Sequence, residues 1–225
     1  RRYTVQILPF YLLCDESGSM TGDPIDAINR ALPDLHHEIS TNPTVADKTR
    51  FCLIGFSDDA SVLQPLVDLS DIDEVPALSA GGLTDYGTAF RTLLRSVEKD
   101  VAELKAQGHE VYRPVAFFLS DGIPTDEDWP TAHRELLNSR YAPKIIAFGI
   151  GDAEAQIIGQ VANFRAFIQK DNSVSPAQAL REFASSLTRS IVRSASSISS
   201  DGSSDFTLAV EEKVPGFETV TLDKV

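Results

Sequence analysis

Two short stretches of the chain carry oxygen donors at spacings that suit a hard cation. The first, Asp15-Glu-Ser17-Gly-Ser19, follows the apolar run Phe10–Cys14. The second, Ser120-Asp121-Gly122, follows the apolar run Val115–Leu119. A carboxylate followed by hydroxyls at alternate positions offers one charged and two neutral oxygens, and Gly18 permits the tight turn that aims both hydroxyls inward. Two carboxylates held together in a partly dry crevice repel unless a cation sits between them. Donors that are all oxygen select Mg2+, with Ca2+ and Mn2+ as alternatives. A third stretch, Gly81-Gly-Leu-Thr-Asp-Tyr-Gly87, precedes a long helical pattern. Its glycines allow close backbone approach, and Thr84 near the helix start is the candidate fifth ligand.

These residues meet only if particular elements carry them. Apolar runs of strand length occur at Phe10–Cys14, Phe51–Phe56, Ser61–Pro65, Val115–Leu119, Ile145–Ile150 and Ala166–Ile168. Continuous apolar runs suit strands buried on both faces of a parallel sheet. Helical stripes alternate with them. Asp23-Pro24 reads as a cap and first turn, followed by Ile25, Ile28, Leu32, Leu35 and Ile39 at spacings of three and four. A second stripe, Phe90, Leu93, Leu94, Val97, Val101 and Leu104, lies in a helix expected over 87–106. Pro130 opens a short helix, and Ser175-Pro-Ala-Gln178 is a capping box ahead of Leu180, Phe183, Leu187 and Ile191. The order predicts an α/β fold: a doubly wound, mostly parallel sheet with one antiparallel edge strand and helices on both faces. In such sheets ligands sit beyond the carboxyl ends of the strands, where the winding reverses. Asp15 and Asp121 face each other there if their strands are neighbours.

Bulk properties narrow the function. With 225 residues the chain has room for one domain with a real core, assigned here to residues 1–194. After that, Ser194–Ser204 has linker composition, and 195–225 reads as a linker and extended tail. A net charge of −13 argues against nucleic acid or an anionic membrane as partner. No apolar stretch approaches the roughly 18 residues that span a bilayer. The chain begins at Arg1 rather than Met, which leaves room for a removed leader. Cys14 and Cys52 lie in apolar runs and read as buried thiols rather than as a disulfide framework.

Asp15-x-Ser17-x-Ser19, the Gly-Gly-Leu-Thr84 loop and Asp121-Gly122 together resemble the metal-ion-dependent adhesion site of von Willebrand factor type A domains, over roughly residues 8–194. Leu83 stands between Gly82 and Thr84, where the commoner pattern is Gly-Gly-Thr. The phrases Leu12-Leu-Cys-Asp-Glu-Ser-Gly-Ser-Met20 and Ser120-Asp-Gly-Ile-Pro-Thr-Asp126 are similar to those of bacterial tellurite-resistance (TerY-like) members. The resemblance implies that Ser17, Ser19 and Thr84 touch the metal, with Asp15 and Asp121 acting partly through water. It implies a protein partner that offers an Asp or Glu carboxylate to the cation, in a cytoplasmic bacterial stress setting beside kinases or phosphatases.

The rival reading is a Mg2+-dependent phosphatase or other hydrolase using Asp15 and Asp121. The Asp-x-Asp of one phosphatase class is Asp-x-Ser here, and no histidine or lysine is placed as a general base. Asp85, Asp126, Glu127 and Asp128 read as solvated loop carboxylates, one of the last three capping the helix at Pro130. Asp58 and Asp59 read as hairpin-turn residues, and His36, His37, His109 and His133 as surface or structural. Trp129 is expected to pack at the head of the short helix. Gly149-Ile-Gly151 is too short for a dinucleotide fingerprint.

Overall fold

The computed structural model describes residues 5–170, 174–198 and 207–222. Its strands are β1 (Gln6–Asp15), β2 (Thr49–Phe56), β3 (Ala60–Val67), β4 (Glu110–Val111), β5 (Val115–Ser120), β6 (Lys144–Gly149), β7 (Arg165–Gln169) and β8 (Phe217–Val220). Its helices are α1 (Asp23–Ser40), α2 (Pro43–Lys48), α3 (Tyr86–Ala106), α4 (Trp129–Leu137), α5 (Ala155–Val161) and α6 (Pro176–Ser196). The strands form one sheet in the order β3-β2-β1-β5-β6-β7-β8, with the short β4 also pairing β1.

Alternation along β1 explains the layers. Leu8, Phe10, Leu12 and Cys14 pack into one core with the apolar stripes of α1 and α6. Tyr11 and Leu13 point into the other core, with Phe90, Leu93, Val97 and Val101 of α3 and with Trp129, Ala132 and Leu136 of α4. The stripe on α1 is buried throughout, from Ile25 to Ile39. The start of α1 differs from expectation: Gly22, not Asp23, occupies the cap position, with φ at +87°. That conformation is strained for a residue with a Cβ, so Asp23 moves into the first turn, where its charge complements the helix dipole. Ser175 caps α6 as expected, its side chain accepting from Gln178 N at 3.2 Å.

The central pairs β2–β1–β5–β6–β7 are all parallel. The expected antiparallel edge strand is β3, folded back on β2. A second antiparallel strand lies at the opposite edge: β8 pairs β7, with Phe167 opposite Thr219 and Gln169 opposite Phe217. Phe217 is buried, its ring 5.3 Å from that of Phe148. Upstream of β8 the chain lies along α6, where Ser190 Oγ donates to Ala209 O, Ala209 N donates to Ser194 Oγ, and Arg189 pairs with Glu211. Helix α6 runs to Ser196, so the first serines of the Ser-rich stretch are helical. Its remainder from Ser199, together with Phe206, lies outside the described residues. Among the described residues no helix is long and apolar enough to cross a membrane.

Candidate metal centre

The winding reverses between β1 and β5. The connection through α1 leads from β1 to β2 on one side, while β5 leads through α4 to β6 on the other. The two strands are hydrogen-bonded neighbours, with Cys14 opposite Leu119. Asp15 and Ser120, their last residues, therefore share one crevice at the carboxyl edge of the sheet.

Asp15 is wholly buried and held from three directions. Its Oδ1 accepts from Ser17 N at 2.7 Å. Its Oδ2 accepts from Ser120 Oγ at 2.7 Å and from Asp121 N at 3.4 Å. Ser17 and Ser19 turn their hydroxyls toward each other, 3.0 Å apart. Ser19 Oγ lies 2.8 Å from Asp121 Oδ1, and Ser17 Oγ lies 3.4 Å from the same oxygen. Four of the five expected residues thus meet directly. Ser19 is the most exposed of them, which leaves the cluster open on its side.

Thr84 reaches the crevice from the loop before α3. A Cβ placed on Gly122 would stand 3.7 Å from Thr84 Oγ1, so the hydroxyl lies against the backbone that follows Asp121. Backbone bonds stitch this loop to the turn after β1: Gly18 N donates to Gly82 O at 2.9 Å, and Gly81 N to Glu16 O at 2.7 Å. Thr84 is also tied to the opposite loop, where Thr125 N donates to Thr84 O at 2.8 Å.

Several supporting residues escaped the sequence reading. Asp58, assigned only a turn role, accepts from Leu83 N at 2.9 Å and so anchors the glycine loop. Gly82 has φ at +84°, a conformation that favours glycine, and a Cβ there would come within 2.8 Å of Asp58 Oδ2, so that a larger residue would also displace the Asp58 carboxylate. Glu16 accepts from Ser79 N at 2.7 Å. A Cβ on Gly55 would lie 1.8 Å from Glu16 Oε1, which makes Gly55 the space that Glu16 fills. Of the three carboxylates expected to cap α4, Asp128 occupies the cap position without a side-chain cap bond. Asp126 instead serves α3, accepting from Tyr86 N at 2.9 Å and Gly87 N at 3.0 Å, where Asp85 accepts from Thr88 N at 2.8 Å. Asp128 pairs with Arg91. Tyr86 donates its hydroxyl to Gly122 O at 2.9 Å from the centre of an aromatic cluster with Phe56, Phe90, Phe118 and Trp129. Trp129 is buried, as expected. His36 and His133 meet backbone oxygens, of Leu69 and Val161 respectively, and take no part in the cluster.

Burial, and next the negative charge of Asp15, push the Asp121 carboxyl up to about 6, with the Ser19 hydroxyl pulling the other way. Burial likewise raises Glu16. The crevice is thus short of positive charge. Among the described residues no three His, Cys, Asp or Glu side chains converge, so any cation here depends on hydroxyl oxygens. Two carboxylates and up to three hydroxyls fit a hard, oxygen-seeking divalent ion and fit poorly the nitrogen and sulfur preferences of structural zinc.

A sheet wound in this way, with this constellation at its reversal point, defines a family. The chain belongs to the von Willebrand factor type A domain family, whose model matches residues 10–197. Members of that family are in general metal-dependent protein-interaction modules rather than enzymes. Among solved structures, the von Willebrand factor type A protein of Catenulispora acidiphila is 19% identical with a TM-score of 0.61, covering 83% of this chain and 43% of its own. The pilus adhesin SpaC of Lactobacillus rhamnosus GG is 14% identical with a TM-score of 0.63, covering 85% of this chain and 30% of its own. Proximal thread matrix protein 1 of the mussel byssus, solved with a zinc-occupied adhesion-site motif, is 16% identical with a TM-score of 0.59, covering 84% of this chain and 48% of its own. At these identities the likeness is one of fold, and the chain spans less than half the length of each. No curated protein matches the chain.

Proposed function

We propose that this chain is a metal-dependent protein-interaction module whose cation is held by Asp15, Ser17, Ser19, Thr84 and Asp121. The observation that carries the reading is the meeting of Asp15, Ser17, Ser19 and Asp121 oxygens at the β1–β5 reversal, with Thr84 against Gly122. Ser17, Ser19 and Thr84 bring neutral oxygens. Asp15, already committed to Ser17 N and Ser120 Oγ, orients the turn and contributes its charge at one remove. When bound, a divalent cation ligated mostly by hydroxyls keeps charge uncompensated and an open position for an Asp or Glu carboxylate of a protein partner. The donor set favours Mg2+ or Mn2+, and the zinc of the mussel protein earns that ion a place in the same titration.

The similarity of Leu12–Met20 and Ser120–Asp126 to tellurite-resistance (TerY-like) proteins supports a bacterial, cytoplasmic stress setting, with a kinase or phosphatase as the class of partner.

The test is thermal shift and calorimetry on the full chain with Mg2+, Mn2+, Ca2+ and Zn2+, then capture from a host lysate in Mg2+ with elution by EDTA. We expect a metal-induced rise in Tm that Asp15→Ala abolishes, and a partner released by EDTA. A partner held equally in EDTA, or by Asp15→Ala, overturns the reading. Mg2+-dependent turnover of a phosphate ester that Asp121→Asn abolishes would favour a hydrolase.

A further inference from the structure

Burial in this chain is thorough, and the exceptions are few. Among the described residues three large hydrophobic side chains stand exposed: Leu83 at 61%, Ile123 at 48% and Val62 at 39%. Val62 lies on the edge strand β3, where partial exposure is ordinary. The other two flank the candidate metal centre: Leu83 immediately precedes Thr84, and Ile123 lies two residues after Asp121. The segments that carry them are joined, because Thr84 Oγ1 lies against Gly122 and Thr125 N donates to Thr84 O.

Neither residue is exposed because its backbone is loose. Leu83 N is held by Asp58 at 2.9 Å, between Gly82 and the bonded Thr84. Ile123 follows Gly122, whose carbonyl receives the Tyr86 hydroxyl from the aromatic core. Two exposed apolar side chains thus stand on anchored backbone beside the oxygen cluster, while among the described residues Val62 is the only other large hydrophobic left exposed.

We infer that Leu83 and Ile123 form an apolar rim that selects, as the partner's contact, a single carboxylate flanked by an apolar side chain rather than an acidic patch. This rests on the metal-dependent reading above. Charge decides between the two kinds of partner. The chain carries a net charge of −13, and close after the Ile123 segment stands the exposed Glu127, Asp126 being committed to the start of α3 and Asp128 to Arg91. A multiply acidic surface is repelled by this field beyond the immediate reach of the cation. A lone Asp or Glu with an adjacent Leu, Ile, Phe or Met pays that repulsion once and gains apolar contact with the rim.

The experiment pans a randomised nonapeptide library with a fixed central Asp or Glu against the full chain in Mg2+ or Mn2+, eluting with EDTA. Enriched sequences should carry a large apolar residue within two positions of the acid and no further acidic residues. For a resynthesised hit, Leu83→Ser and Ile123→Ser should each weaken binding about fivefold or more, while the metal-induced rise in Tm persists. Enrichment without apolar preference, equal binding by the double Ser variant, or no EDTA-eluted enrichment from a chain that binds metal overturns the rim. Failure of the unmodified chain to show a metal-induced Tm shift overturns instead the metal centre on which the rim depends.

Discussion

Ser120 Oγ donates to Asp15 Oδ2 at 2.7 Å, joining the last residues of two neighbouring strands at the point where the sheet changes its direction of winding. This bond fixes the carboxylate that also receives Ser17 N, so the turn carrying two hydroxyls inherits its orientation from β5. Ser120→Ala removes a buried donor and leaves the acceptor short of a partner, at a cost of about 1–3 kcal/mol in stability. Metal affinity should fall by roughly tenfold, as for other residues that orient a ligand. Chemical denaturation and calorimetric titration on the same variant measure both; an unchanged metal affinity would contradict the orienting role.

The Asp15–Asp121 pair makes the metal-free chain sensitive to pH. The Asp121 carboxyl is raised to about 6 in the folded state, chiefly by burial, against roughly 3.9 in an unfolded chain. The folded state therefore holds this proton more tightly. The favourable contribution is complete below the unfolded value and is lost as pH rises through about 6. Without metal, stability from this site should decline between about pH 4 and 7 by on the order of 1–2 kcal/mol, the full value for such a shift being reduced by solvent screening at this partly open site. Asp121→Asn should lack this decline and be more stable than the parent at pH 7. Divalent cation should raise the Tm of the parent at pH 7, do so less at pH 5, and leave Asp121→Asn unmoved. Parallel Tm profiles for the two proteins in EDTA would refute this account.

Gly82 sets the path of the loop that presents Thr84. Gly82→Ala meets a φ of +84° and a contact of 2.8 Å with Asp58 Oδ2, for a cost of about 1–2 kcal/mol. Asp58→Ala removes the acceptor for Leu83 N and should cost about 1 kcal/mol. Both should weaken metal binding more than an exposed substitution such as Asp59→Ala, and calorimetry on the three variants ranks them.

Phe217 anchors the last described strand against Phe148. Phe217→Ala should destabilise the chain by about 3 kcal/mol, seen as a shifted denaturation midpoint with a single transition. A separate early transition that spares the rest would show that β8 is an independent appendage.

Much of this was legible in the residues, and what was not has physical reasons. The buried strands β1, β2, β5 and β6 announce themselves as apolar runs, and α1 and α3 as stripes, because burial imposes composition directly. The short α2 and α5 have too few turns for a stripe to stand out. Strand β8 escaped because Phe217–Val220 has one buried position, two exposed ones and a half-buried Val220, a pattern that only a partner edge can turn into a strand. At the site, Asp15, Ser17, Ser19 and Asp121 meet as their strand-end positions implied. Asp58 and Ser120 act through single long-range hydrogen bonds, to Leu83 N and Asp15 Oδ2, and a bond between distant residues leaves no mark on local sequence. The role of Asp126 at the start of α3 was hidden for the same reason: the N–H groups it accepts from, of Tyr86 and Gly87, are about forty residues away in the chain but adjacent in space.

The pairing of β8 with β7 has a consequence for how copies of this molecule behave toward one another. A parallel strand at the margin of a sheet displays a row of free N–H and C=O groups, a template on which another chain can stack. Here the row on β7 is covered by the chain's own late segment, β8, which follows Gly216 at φ +83° and carries Glu218 opposite Ile168. A polypeptide ending before Thr207 would uncover Arg165–Gln169, with the apolar Ala166 to Ile168 at its centre, and would be prone to edge-to-edge association. Residues 207–222 thus replace the β7 margin with a short strand whose Glu218 and Thr219 are exposed, a poorer template for stacking than the apolar edge beneath it.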